Sequence, residues 1–83
     1  MKLVYFAWVR ERIGKPEEDI ELPPAVATIG DLIAYLKTRG EEYANALREP
    51  KAIRTAIDHV HAQADTRIAG AREIALFPPM TGG

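Results

Sequence analysis

The sequence predicts an α+β fold, a mixed sheet of four to five strands packed on one main helix with a second, short helix beside it. Three observations carry this. The chain opens on a β-rich run, "LVYFAWV"; its middle, "TIGDLIAYL", has helical spacing; and "AIRTAID" and "EIALF" alternate like strands. Strands, then a helix, then strands again place the helix across one face of the sheet, with the first and last strands near its centre.

Each element has its own local reason. Lys2 to Val9 is apolar on both alternating faces, as a central strand would be. Arg10 to Glu18 is charged and holds Gly14 and Pro16, so it reads as a loop, solvated rather than a docking surface. "DIEL" then alternates Ile20 and Leu22 against Asp19 and Glu21 before Pro23-Pro24, which suits a short edge strand closing a hairpin. Thr28 can cap a helix with Asp31 in its first turn; Ile29, Leu32, Ile33 and Leu36 line one face, and Gly40 is expected as the left-handed stop. "EEYANALRE" is the second helix, with Tyr43, Ala44 and Leu47 inward and Pro50 ending it. Ile53, Thr55 and Ile57 alternate with Ala52, Arg54 and Ala56 in the next strand, which His59 to His61 could extend. Ile74 and Leu76 oppose Ala75 and Phe77 in the last.

Composition narrows the function. At 83 residues the chain makes one domain with a modest core, too small for a large enclosed active site. It has 11 Lys plus Arg against 12 Asp plus Glu and no basic run, which speaks against nucleic acid as a partner. Without cysteine there are no disulfides, thiolate metal sites or thiol nucleophiles, and without serine no serine-based catalytic group. No apolar run approaches the ~20 residues of a membrane span and no cleavage site follows the N-terminal stretch, so the expected compartment is the cytoplasm.

His59 and His61, two residues apart, would share one face of a strand and could touch a metal ion, but no third ligand is evident, so no metal site is expected. Phe6 and Trp8 alternate with Tyr5 and Ala7. One of these faces meets the helix; the other is either covered or left as a small apolar patch for a partner.

The end of the chain, "LFPPMTGG", carries the strongest signal. Phe77-Pro78-Pro79 should leave the sheet as a stiff polyproline-like stalk, since proline fixes its own φ and keeps its predecessor extended. Residues 1–77 are then the folded domain and 78–83 a tail. Gly82 and Gly83 have no side chain and can enter a channel too narrow for other residues, which offers the Gly83 carboxylate as the reactive group. An ionised carboxylate, with a pKa of about 3.5, is a poor electrophile and needs activation, by transfer of AMP for example. No phosphate-binding loop is present, so a partner would supply ATP chemistry and this chain would be the carried substrate.

"LVYFAWVRERIG", "TIGDLIAYL" and "REIALFPPMTGG", in this order over the whole length, resemble the small, sulfur-carrier subunits of molybdopterin synthase, ubiquitin-like proteins of the β-grasp fold. The resemblance implies that Gly83 is adenylated by a ubiquitin-activating-like adenylyltransferase using ATP, and then becomes a thiocarboxylate. The tail, Pro78, Pro79, Met80, Thr81, Gly82 and Gly83, would enter the active site of the large catalytic subunit. Two sulfur transfers there would build the dithiolene of molybdopterin from a pyranopterin precursor, within a heterotetramer of two small and two large subunits. It also implies that Phe6 and Phe77 lie on the patch that meets both partners, and that the chain binds no cofactor of its own. Departures fall at Gly70-Ala71-Arg72-Glu73, at Ile57-Asp58, and at His61 where relatives often carry a leucine. A thiazole-forming sulfur carrier shares the fold and Gly-Gly but lacks Phe-Pro-Pro; a ubiquitin-like modifier and a plain interaction domain are further alternatives.

Overall fold

Alternation within the last strand sets the layout of the molecule. In a computed structural model that describes residues 1–79, β5 (Glu73–Phe77) buries Ile74 and Leu76 completely and turns Ala75 and Phe77 to the opposite face. It lies at the middle of a five-stranded sheet ordered β2-β1-β5-β3-β4. Here β1 (Lys2–Tyr5) runs parallel to β5, β2 (Glu17–Asp19) runs antiparallel to β1, and β3 (Arg54–Ile57) is antiparallel both to β5 and to β4 (Val60–Ala62). First and last strands are neighbours near the centre, as the sequence predicts.

Three helices cover one face. The main one, α2 (Ile29–Lys37), begins with the expected capping box: the Asp31 amide donates to the Thr28 hydroxyl at 3.2 Å, and the Thr28 amide donates to the Asp31 carboxylate at 3.2 Å. Ile29, Leu32 and Leu36 are buried against Leu3, Tyr5, Ile74 and Leu76 of the sheet. Each such side chain contributes roughly 1.5–3 kcal/mol by leaving water. The short α3 (Glu41–Ala46) buries Tyr43 and Ala46, followed by Leu47, while Ala44 is only half-buried.

The N-terminal third departs from the sequence reading. β1 stops at Tyr5, and the segment expected to continue the strand and then form a loop is a helix, α1 (Ala7–Ile13), packed on α3. Val9 and Ile13, one turn apart, are buried, and the Arg12 guanidinium lies 4.5 Å from the centre of the Trp8 ring on the next row of the helix. Gly14 closes α1 at φ 93°, a left-handed geometry that a residue with a Cβ resists. The strand that follows therefore starts early, at Glu17 rather than Asp19. Two other expectations are corrected. α2 ends at Lys37 with Thr38 as its cap, and Gly40, at φ 164°, precedes α3 in extended conformation instead of stopping α2. His59 to His61 do not lengthen β3: Asp58 and His59, at φ 48° and 72°, form a tight turn, and β4 returns beside β3.

Candidate functional site

The face of the sheet away from the helices is built from small and aromatic side chains. Register places Val4, Ala75, Ala56 and His61 in one row across β1, β5, β3 and β4, with Phe77 and Arg54 paired one step nearer the tail. Val4, Ala56, Ala75 and Phe77 are half-buried yet stand outside the core cluster. Because Ala56 is small, the His61 ring reaches over β3 to meet Phe77, two strands away, with ring centroids 5.9 Å apart at 68°.

Phe6 joins this end of the face because of a strained turn. Its amide donates to the Leu76 carbonyl at 3.1 Å, which continues the parallel ladder one residue past Tyr5. Ala7 then adopts φ 52°, turning the chain into α1 and leaving the Phe6 side chain 47% exposed. Apart from Val60 on the edge strand, Phe6 is the only large apolar side chain that is exposed among the described residues. Phe6 and Phe77 are thus adjacent at the point where β5 ends and Pro78 and Pro79, both half-buried, begin. Met80, Thr81, Gly82 and Gly83, the rest of the expected tail, lie outside the described residues.

A polar cluster on the helix side holds the end of β1 in place. Glu18 of β2 points inward, its side chain 11% exposed, and accepts hydrogen bonds from the hydroxyls of Tyr5 at 2.7 Å and Tyr43 at 2.6 Å. Arg39 and Lys15 stand 3.3 Å and 3.6 Å from the same carboxylate. Burial pushes the Glu18 carboxyl up, but the two tyrosine hydrogen bonds and the two cations outweigh it and leave it below the ordinary carboxylate value. Burial, reinforced by that carboxylate, raises both phenols, so they remain donors. Strand alternation gives an acid no reason to point inward, so the sequence reading missed this cluster. Two tyrosines placed in the core, each with a hydroxyl that needs an acceptor, were the available signal.

The two histidines do not form a joint site. His59 is in the turn, 89% exposed and 4.0 Å from Glu73, while His61 faces Phe77. Among the described residues no group of three or more His, Cys, Asp or Glu is placed to hold a metal ion. The half-enclosed groove between α2 and β3–β4, about 220 Å³ and lined by Ile33, Ile53 and Thr55, is smaller than the ~300–1,000 Å³ of typical small-molecule sites. What the arrangement offers is a surface beside a chain end: two aromatic rings, Arg54 and His61 around the root of the tail.

The model of the ThiS family matches residues 3–83, a stretch that includes this surface and the tail. The chain belongs to the ThiS family. Relatives similar over their whole length are the molybdopterin synthase sulfur carrier subunits of Haemophilus influenzae, 32% identical, covering 100% of this chain and 99% of that one, and of Dictyostelium discoideum, 33% identical, covering 99% and 94%. Among solved structures, a Pyrococcus furiosus protein described as molybdopterin converting factor, subunit 1, superposes with a TM-score of 0.75 at 28% identity, covering 95% of each chain. SAMP1 from Haloferax volcanii superposes at 0.72 with 25% identity over 100% and 98%. The fold is the ubiquitin-like β-grasp. No helix among the described residues is long and apolar enough to cross a membrane.

Proposed function

We propose that this chain is the sulfur carrier subunit of a molybdopterin synthase, with the Gly83 carboxylate as the carried group. The observation that carries the reading is end-to-end similarity to proteins of that name, extending through Phe77-Pro78-Pro79 to Gly82-Gly83. In this reading residues 1–77 are a docking body and 78–83 the tail that enters the large subunit. A ubiquitin-activating-like enzyme joins a Gly83 carboxylate oxygen to the α-phosphorus of ATP and pyrophosphate leaves. Hydrosulfide, or its equivalent from the sulfur source, then forms a C–S bond at the glycyl carbon as AMP departs, which leaves a thiocarboxylate. Sulfur passes to the pyranopterin precursor in the large subunit, and hydrolysis of the acyl–sulfur bond returns the carboxylate. Two transfers complete the dithiolene, in an assembly of two small and two large subunits in the cytoplasm. Phe6 and Phe77 are the apolar contacts to both partners.

Mass spectrometry of the chain incubated with its activating enzyme, ATP and a sulfur source tests this. One oxygen of Gly83 should be replaced by sulfur, and purified thiocarboxylate should support dithiolene formation with the large subunit and the precursor. Deletion of Gly83, or one residue added after it, should abolish transfer without changing the melting temperature; transfer that survives either change would overturn the reading. A ubiquitin-like modifier is the second reading, favoured by the likeness to SAMP1, which also carries the name small archaeal modifier protein 1. Gly83-dependent conjugates of higher mass would identify it.

A further inference from the structure

We infer that the tail end of the open sheet face docks on an acidic protein surface, where Arg54 and His61 meet carboxylates of the partner. This rests on the carrier reading and names the chemistry of the partner surface that surrounds the tail.

Charge is segregated along this face. At the end far from the tail, Lys2 pairs with Glu17 at 3.7 Å and Glu73 at 3.8 Å. Asp58 there accepts hydrogen bonds from the amides of Arg72 and Glu73, at 3.0 Å and 2.8 Å. Those charges have partners within the chain. At the tail end stand Phe6, Phe77, His61 and Arg54, and among the described residues the Arg54 guanidinium has no carboxylate within salt-bridge distance. Glu73 and Phe77 are four residues apart on β5, about 13 Å, which exceeds the ~8 Å screening length at physiological salt. The acids at one end therefore do not neutralise Arg54 at the other.

Arg54 and Phe77 are directly opposite in the β3–β5 ladder, so a surface that covers the Phe77 ring also removes water from Arg54. An apolar partner surface would leave a guanidinium desolvated and unpaired, which opposes binding. A carboxylate can meet it with two parallel hydrogen bonds and turn the same burial into selectivity. His61, exposed beside the ring, adds a second polar group at this edge. A polyanion such as nucleic acid fits less well, because Glu17, Asp19, Asp58 and Glu73 share the face and the chain's net charge is -1.

Calorimetric titration of the full chain against the large synthase subunit of the same organism tests this at low and high salt. The unaltered chain should bind, with affinity that falls as salt rises; if it does not bind, the carrier reading fails and takes the inference with it. Arg54→Glu should weaken binding about tenfold or more at low salt and flatten the salt dependence, with Arg54→Gln intermediate. Arg54→Lys should bind and should be joined by a carbodiimide to an Asp or Glu of the partner. Unchanged affinity and salt slope in Arg54→Glu, while the unaltered chain binds, would overturn the acidic surface and leave the carrier reading standing. So would a Lys at position 54 that cross-links to no partner carboxylate. Since Arg54 is exposed, its variants should keep the parent melting temperature, and Arg54→Gln tests the same point without reversing the charge.

Discussion

The two faces of the sheet treat polar and apolar groups in opposite ways. On the helix side no buried side-chain polar atom among the described residues lacks a partner: Leu3, Ile74 and Leu76 are fully buried, and the inward Glu18 has two hydroxyls and two cations around it. On the open side Phe6 and Phe77 stay partly wet, and Arg54 has no internal counter-charge among the described residues. The helix side explains why the chain folds. The open side is left incomplete among the described residues, as the proposed docking role requires.

Neighbouring residues of β5 break this comparison most sharply. Leu76→Ala removes a side chain with no exposure and should cost about 2–5 kcal/mol in denaturant unfolding. Phe77→Ala loses a larger side chain but only a half-buried one, and should cost about 1–2 kcal/mol. Partner affinity should reverse the order, with Phe77→Ala the more damaging when compared under conditions where both variants are folded. Equal stability losses would mean that the open face is as well packed as the core.

The Glu18 cluster comes next in size. Glu18→Ala leaves the Tyr5 and Tyr43 hydroxyls without their acceptor, and should cost about 2–3 kcal/mol. Because the folded-state pKa of Glu18 is depressed, its contribution is present above the unfolded value, 4.5, and is lost as pH falls below that through the lower folded value. Stability measured from pH 7 down to 3 should therefore decline less steeply in Glu18→Gln than in the parent. Parallel curves would show that the carboxylate is not held in its charged form.

How much of this was legible depended on whether one local rule acted alone. Thr28, Asp31 and the Ile29–Leu36 stripe agree at every level, and the strand at 73–77 alternates cleanly, so both were read with the right faces. Residues 6–13 carry conflicting signals. The β-branched and aromatic run argued for a strand, while Val9 with Ile13, Trp8 with Arg12, and a following Gly14 argued for a helix, which packing against α3 decides. The open face could be anticipated only as an alternative to a covered one, because Arg54 and His61 come to Phe77 through strand register and not through sequence spacing. The tail was read from proline and glycine chemistry, and its last four residues lie outside the described ones.

A smaller effect separates local from tertiary contributions on the helix side. Thr28→Ala removes the acceptor for the Asp31 amide at the start of α2 and should cost about 1 kcal/mol in thermal unfolding. Thr28→Ser should recover most of it. Since neither change touches the open face, binding of the large subunit should stay at the parent value when all variants are folded.

The smallest expected change is a gain, and it lies at the far end of the open face. Asp58 and His59 both have positive φ, but for different reasons. The Asp58 carboxylate accepts from the backbone of Arg72 and Glu73, and aspartate tolerates the left-handed region. His59 is 89% exposed, and its contact with Glu73 at 4.0 Å is a surface pair of little energetic weight. Its left-handed strain therefore has little to offset it. His59→Gly should relieve the strain and, after the extra entropy of a glycine in the unfolded chain, stabilise the hairpin by about 0.5 kcal/mol. Calorimetric melting can resolve this as a rise of a few degrees for a domain of this size. A lower melting temperature would mean that His59 makes a favourable contact worth more than the strain it bears. The self-contained part of the open face would then extend to its turn, leaving only the tail end incomplete.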